Sequence, residues 1–166
     1  MTRRGLLLTI TEPPAAMEEE FNAWYDTEHL AERLAIPGFR SARRWVMDCP
    51  PGQGKYLATY ELDSLSVLSS PDYLSRFENQ SPWSRRCLGK AVVFRRWACE
   101  QVDPGEADAH PDARAIAFGT VDAPIPDALQ QRRFAATSGE TIVLQELGGW
   151  RAAWPTGVLV YRAYAH

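Results

Sequence analysis

Two proline breaks bound the stretch that most constrains this chain. Glu12-Pro13-Pro14 closes a short aliphatic and β-branched run over residues 5–11, and Pro37-Gly38 closes the segment that follows. Between them the period becomes helical. Met17, Phe21, Trp24, Tyr25 and Glu28 fall at i, i+4, i+7, i+8 and i+11, while Glu18, Glu19 and Glu20 crowd the first turn, where the helix dipole favours negative charge. Leu30, Ala31, Leu34 and Ala35 leave the face defined by Phe21, so a bend is expected near Asp26 and Thr27, with Thr27 capping a second helical stretch over residues 28–35.

Beyond Pro37-Gly38 the pattern alternates over residues 39–47, breaks at the turn-rich residues 49–54, and resumes over residues 55–62, which predicts a hairpin. Residues 64–80 read as helix interrupted at Pro71. Ser81-Pro82 opens a further turn, and residues 91–102 form a fourth strand. The order to residue 103 is β-α-β-β-α-β, which predicts an α+β fold: a ferredoxin-like unit with an antiparallel sheet and helices on one face. In the fourth strand Val92, Phe94, Ala98 and Val102 alternate with Val93, Trp97 and Cys99, so both faces are partly apolar and a homodimer through the sheet face is expected.

The polar, Pro- and Gly-containing stretch around residues 104–114 reads as a linker between a domain at 1–103 and an extension at 115–166. In the extension, residues 115–121, 141–147 and 158–164 read as strands and residues 126–135 as a short helix opened by proline. A weak internal echo, LLLTITEPP against IAFGTVDAP, suggests a truncated second copy of the first unit.

At 166 residues the chain supports one core of ordinary size and excludes a second large domain. Its arginines are scattered and outnumbered by acids, with a net charge of -3, so no footprint for nucleic acid emerges. The apolar run near the N-terminus is too short for a signal core, and no stretch approaches the roughly 20 apolar residues of a membrane span. Cys49, Cys87 and Cys99 form no CxxC pair and their number is odd, which points to a reducing, cytoplasmic setting.

The chemistry concentrates in Trp24 to His29. Glu28 on a continuous helix would share the apolar direction of Phe21, where desolvation raises a carboxyl pKa; His29 titrates near neutrality and Tyr25 offers a hydroxyl. Asp26 could orient His29 from i-3. The same residues also suit a structural role, with His29 as a cap or packing residue and Glu28 paired with Arg43 or Arg44. His110 lies in the linker and His166 at the terminus, so no metal site is expected. GxGxxG, Walker and GxSxG sequences are absent, and no cofactor is expected.

At EEFNAWYDTEHLAERLAIPGFRSARRW, KYLATYELDS and SPWSRR the chain resembles the EthD-like branch of the dimeric α/β-barrel superfamily over about residues 5–103. Trp24, Tyr25, Asp26, His29, Glu32 and Arg33 fall on the family's Trp-Tyr-Asp-x-x-His-Leu-Pro-Glu-Arg stretch, with Ala31 in place of its proline. The resemblance implies two ferredoxin-like units whose sheets meet in a barrel, each with a pocket between helices and sheet. It further implies a cofactor-independent enzyme of small aromatic or polyketide-like metabolites, acting as cyclase, isomerase, lyase or monooxygenase. In that reading His29 is the acid or base, Tyr25 and Glu28 polarise or orient the substrate, and Phe21, Trp24, Trp45 and Arg43 line the pocket. The alternative is a non-catalytic dimeric ligand-binding or scaffold protein.

Overall fold

β1 (Gly5–Glu12) is buried along its whole length, because both of its faces are covered. The computed structural model describes residues 2–151 and 153–165, so His166 lies outside the described residues. Leu6, Leu8 and Ile10 of β1 point one way into a core with Trp45, Leu57, Cys99 and Phe134, while Leu7 points the other way into a core with Phe21, Trp24, Tyr25 and Tyr60. This is the strict period of a strand, with successive side chains on opposite faces.

Helical segments separate β1 from β2 (Phe39–Val46): α1 (Glu18–Trp24), a π-helical turn (Tyr25–His29) and α2 (Leu30–Leu34). β3 (Tyr56–Leu62) follows, then α3 (Pro71–Glu78), α4 (Pro82–Lys90) and β4 (Val93–Asp103). Ser70 and Ser81 cap α3 and α4 by accepting from the backbone N–H of Tyr73 and Ser84, each ahead of a proline in the first turn. The remaining strands are β5 (Ala115–Gly119), β6 (Gln130–Ala136), β7 (Thr141–Leu147) and β8 (Leu159–Ala163).

These eight strands close into one antiparallel barrel in the order β1-β3-β2-β8-β5-β7-β6-β4, with β4 returning to β1. The ferredoxin-like α+β expectation, and with it the dimeric α/β barrel, is therefore corrected: one chain closes its own barrel, and only short helices lie outside it. The physical reason lies in β6. Residues 126–135 were expected to be helical from Pro126, yet Gln130–Ala136 is the strand that joins β4 to β7. Alternation of Arg132, Phe134 and Ala136, all buried, is its strand signature.

The inner faces of β1–β4 meet those of β5–β8. Leu6, Leu8, Ile10 and Cys99 pack with Ile116, Phe118, Phe134, Ile142 and Leu144, filling an eight-stranded barrel with side chains. On β4, Val93 and Trp97 turn inward, whereas Val92 just ahead of the strand, with Phe94 and Val102 in it, is exposed. The helices cover the outside of β1, β3 and β2; on the far side Ala115, Ala117, Leu147 and Val160 are covered by Ile125, Ala128, Trp154 and Val158. The segment before β5 seals one end: His110 N–H donates to Glu146 and Arg43 donates to the Ala113 carbonyl at 2.8 Å.

Among the described residues no helix is long and apolar enough to cross a membrane. The three cysteines are all free.

Candidate functional site

The bend expected near Asp26 and Thr27 is the π-helical turn Tyr25–His29. Thr27 does not act as an N-cap; its hydroxyl donates back to the Ala23 carbonyl at 2.7 Å, a local bond that competes with regular helix geometry. The turn has a geometric effect. In a regular α-helix residues five apart lie about 140° apart around the axis, whereas i→i+5 spacing brings them into line. Trp24 and His29 are five apart, and their rings stack with centroids 4.4 Å apart.

Two further rings fix the imidazole. Tyr25 meets it edge-on at 5.0 Å and Tyr60 at 6.4 Å, and the Tyr25 and Tyr60 hydroxyls are hydrogen-bonded at 3.1 Å. His29 is 7% exposed, and among the described residues no group hydrogen-bonds its ring nitrogens. Burial first, then the nearby Arg33 and Arg44 charges, push its pKa down to about 3. The ring is neutral at pH 7, with one nitrogen able to donate and the other to accept. Burial likewise raises the Tyr60 phenol well above its ordinary range, so Tyr60 stays protonated.

Tyr25 and His29 line a cleft between the barrel wall and the helices, with Thr9 and Thr11 of β1, Arg33 of α2, Tyr60, Tyr73 and Arg96 around them. Phe77, Leu88 and Phe94 also line it. The cleft holds about 460 Å³ of space free of protein atoms, counting the part open to solvent. The enclosed part is only about 50 Å³, below the roughly 300–1,000 Å³ of most small-molecule sites, so a ligand's body would occupy the open mouth.

The other residues singled out in the sequence are distributed elsewhere. Glu28 turns away from the cleft: its Oε2 accepts from Trp24 Nε1 at 3.1 Å, Ser81 Oγ at 2.7 Å and Ser84 Oγ at 3.3 Å, which ties the π turn to the start of α4. Asp26 pairs with Arg44 at 3.0 Å. Arg44, which also donates to Asn22 at 2.8 Å, lies 4.3 Å from the Tyr25 ring centroid and 4.1 Å from that of Tyr164, so it holds Tyr25 from behind. Phe21 and Trp24 are fully buried behind the cleft.

Arg43 and Trp45 face the barrel interior instead, because they occupy the opposite parity of β2 from Arg44. Arg43 stacks over Trp45 at 4.3 Å, and both line a separate internal cavity with Glu61, Arg132 and Glu146. Arg132 there bridges Glu61 at 2.5 Å and Glu146 at 2.7 Å.

Sequence reading missed Thr9, Tyr60, Tyr73 and Arg96, and saw Arg33 only as part of a motif. A signal for Arg33 was present, since it stands four residues after His29 on the same helical side. Thr9 could be placed by parity with Leu7. Arg96 and Tyr73, whose side chains are hydrogen-bonded at 2.9 Å, come from distant segments and had no local signal. Among the described residues no group of three or more His, Cys, Asp or Glu could hold a metal ion.

Fold and site together define a closed eight-stranded antiparallel barrel with a helical layer and a cleft between the two. No protein-family model matches the chain, the EthD-like family included. The chain is a distant homologue of core atranone cluster (CAC) protein 1 of Stachybotrys chlorohalonatus (strain IBT 40285), with 34% identity over 80 residues. That match covers 47% of this chain and 34% of the length of the fungal protein.

Proposed function

We propose that the protein acts in the biosynthesis of a secondary metabolite and that the cleft beneath the π turn takes a small aromatic or polyketide-like molecule. The observation that carries this reading is the buried imidazole of His29, free of hydrogen bonds among the described residues and lining a cleft together with the Tyr25 and Tyr60 rings. The similarity to a protein named for the atranone cluster supports the metabolic setting.

The chemistry that suits the site is proton transfer at a carbon beside a carbonyl, as cyclases, isomerases and lyases use. His29 takes or returns the proton, and the tyrosine pair orients the carbonyl. A neutral imidazole with a pKa near 3 is a weak base in the empty cleft. A substrate that develops negative charge on oxygen offsets the field of Arg33 and Arg44 and raises that basicity when it is needed.

The test is exchange of carbon-bound hydrogen in deuterated water for a panel of aromatic and polyketide-like ketones. Exchange by the wild type, reduced at least ~100-fold in His29→Gln, is the expected result. Equal exchange in the two proteins, or none in either, overturns the catalytic role. The weak basicity of His29 also favours a second reading, in which the cleft binds such a molecule without transforming it. Saturable binding without exchange is its signature.

A further inference from the structure

Among the described residues three arginines are at least nine-tenths buried, and their surroundings differ. Arg44 is paired with Asp26, and Arg132 with Glu61 and Glu146. Arg33, 9% exposed, has no acceptor among the described residues; its guanidinium has only the Tyr73 ring, 5.5 Å from its centre. Its guanidinium nitrogens are not sealed from solvent, so their N–H groups stand at the cleft surface without an acceptor among the described residues, open to an anion.

A second buried group stands on the wall of the same cleft. Thr9, 8% exposed, lines the cleft, and its hydroxyl oxygen is buried with no hydrogen-bond partner. An orphaned hydroxyl in a native interior calls for a missing partner. The remaining lining agrees in sign: among the described residues Arg96 is the other charged residue on the cleft, and no Asp or Glu lines it. Towards solvent Phe77 is 57% and Phe94 51% exposed, beside Leu88, with Gln80 and Arg85 next to this apolar part of the rim.

We infer that the cleft is built for a small ring-bodied monocarboxylate, its carboxylate taken by Arg33 with the Thr9 hydroxyl and its ring body by Phe77, Leu88 and Phe94. A planar guanidinium matches a carboxylate in two parallel hydrogen bonds, and the hydroxyl supplies a third. A phosphate dianion is a poorer match, since it would bring more acceptor oxygens and charge than one buried guanidinium and one hydroxyl answer. The inference rests on the reading of this cleft as the ligand site and not on the catalytic role of His29.

Calorimetric titration of the full chain with 2-naphthoate and with 2-naphthamide, of the same shape but uncharged, tests it. The acid is expected to bind at least about tenfold more tightly than the amide, with affinity falling as salt rises. Arg33→Gln removes that advantage by weakening the acid far more than the amide, Arg33→Lys retains part of it, and Thr9→Val loses a few-fold. Equal affinity for acid and amide, an unmoved acid affinity in Arg33→Gln, or no saturable acid binding at millimolar concentration overturns the inference. Should Arg33→Gln fail to fold, the wild-type comparison of acid with amide decides alone. Acid bound through Arg33 with no proton exchange sinks the catalytic reading only. Exchange present with acid and amide bound alike sinks this inference only.

Discussion

The indole of Trp24 stacks on the imidazole of His29, its plane tilted by 27°, while its N–H donates to Glu28 Oε2 at 3.1 Å. The carboxylate thus sets the ring that sets the histidine. Glu28 acts on the cleft at one remove, through Trp24, rather than by facing it.

Glu28→Ala takes the shared acceptor from Ser81 and Ser84 and leaves the indole N–H with Ser84 Oγ alone, at 3.1 Å. The expected loss is about 1–3 kcal/mol in chemical denaturation, with a change in near-ultraviolet circular dichroism as Trp24 loosens. Glu28→Gln keeps an acceptor oxygen and should cost less than half as much. Equal losses in the two variants would refute the hydrogen-bond account.

His29 makes stability depend on acid. Its pKa lies near 3 in the folded chain, against an ordinary value of 6.5, so the unfolded chain binds the extra proton between these limits. Stability from this group is complete above pH 6.5 and falls as pH drops towards 3. Between pH 7.5 and 5 the wild type should lose roughly 2 kcal/mol more than His29→Gln, read from urea midpoints at each pH. Parallel curves for the two proteins would place the proton elsewhere.

Arg132 holds two buried carboxylates in the barrel, Glu61 and Glu146. Arg132→Met leaves both without their cation, at an expected cost of about 3–5 kcal/mol at pH 7. Burial already pushes the Glu61 pKa up in the presence of Arg132. Without it the rise is larger, and a folded-state pKa above the unfolded one means that stability returns as pH falls through it. The variant should therefore lose less at pH 5 than at pH 7.

Gly54 has φ +90°, and a Cβ there would lie 2.4 Å from Ile10 Cγ2 inside the barrel. Its carbonyl accepts from Tyr161 at 2.7 Å and its N–H donates to Glu12 at 3.1 Å, so the loop has little room to move. Gly54→Ala should cost roughly 2–4 kcal/mol, combining left-handed strain with overpacking. Gly52 has φ +88° but open space around it, so Gly52→Ala should cost about 1–2 kcal/mol. Thermal melts of the pair compare the two.

Local chemistry was legible where it depended on near neighbours. The Pro13-Pro14 stop, the bend at Asp26 and Thr27, and the strand pairing of residues 39–47 with 55–62 all follow from turn residues and periodicity. What escaped was long-range. Alternation shows that a strand has two faces and says nothing of whether a wall is open or curls shut, so β1–β4 were read as an open sheet. Pro126 suggested a helix N-terminus and hid the strand beginning at Gln130. The cleft was half legible for the same reason: Tyr25 and His29 share one turn, while Thr9, Arg33, Tyr73 and Arg96 meet only when four separate segments fold together.

The barrel closes on itself, but not along the full length of every strand: β4 pairs with β6 only over residues 99–103, so its first half has a strand partner on the β1 side alone. Growth by strand addition, the common route to fibrils and to swapped assemblies, has a template only in such short stretches. The ring has one thin join, since β2 and β8 share only the pairs Trp45–Ala163 and Val46–Arg162. Unzipping should start there, and amide exchange at that join is the place to watch it.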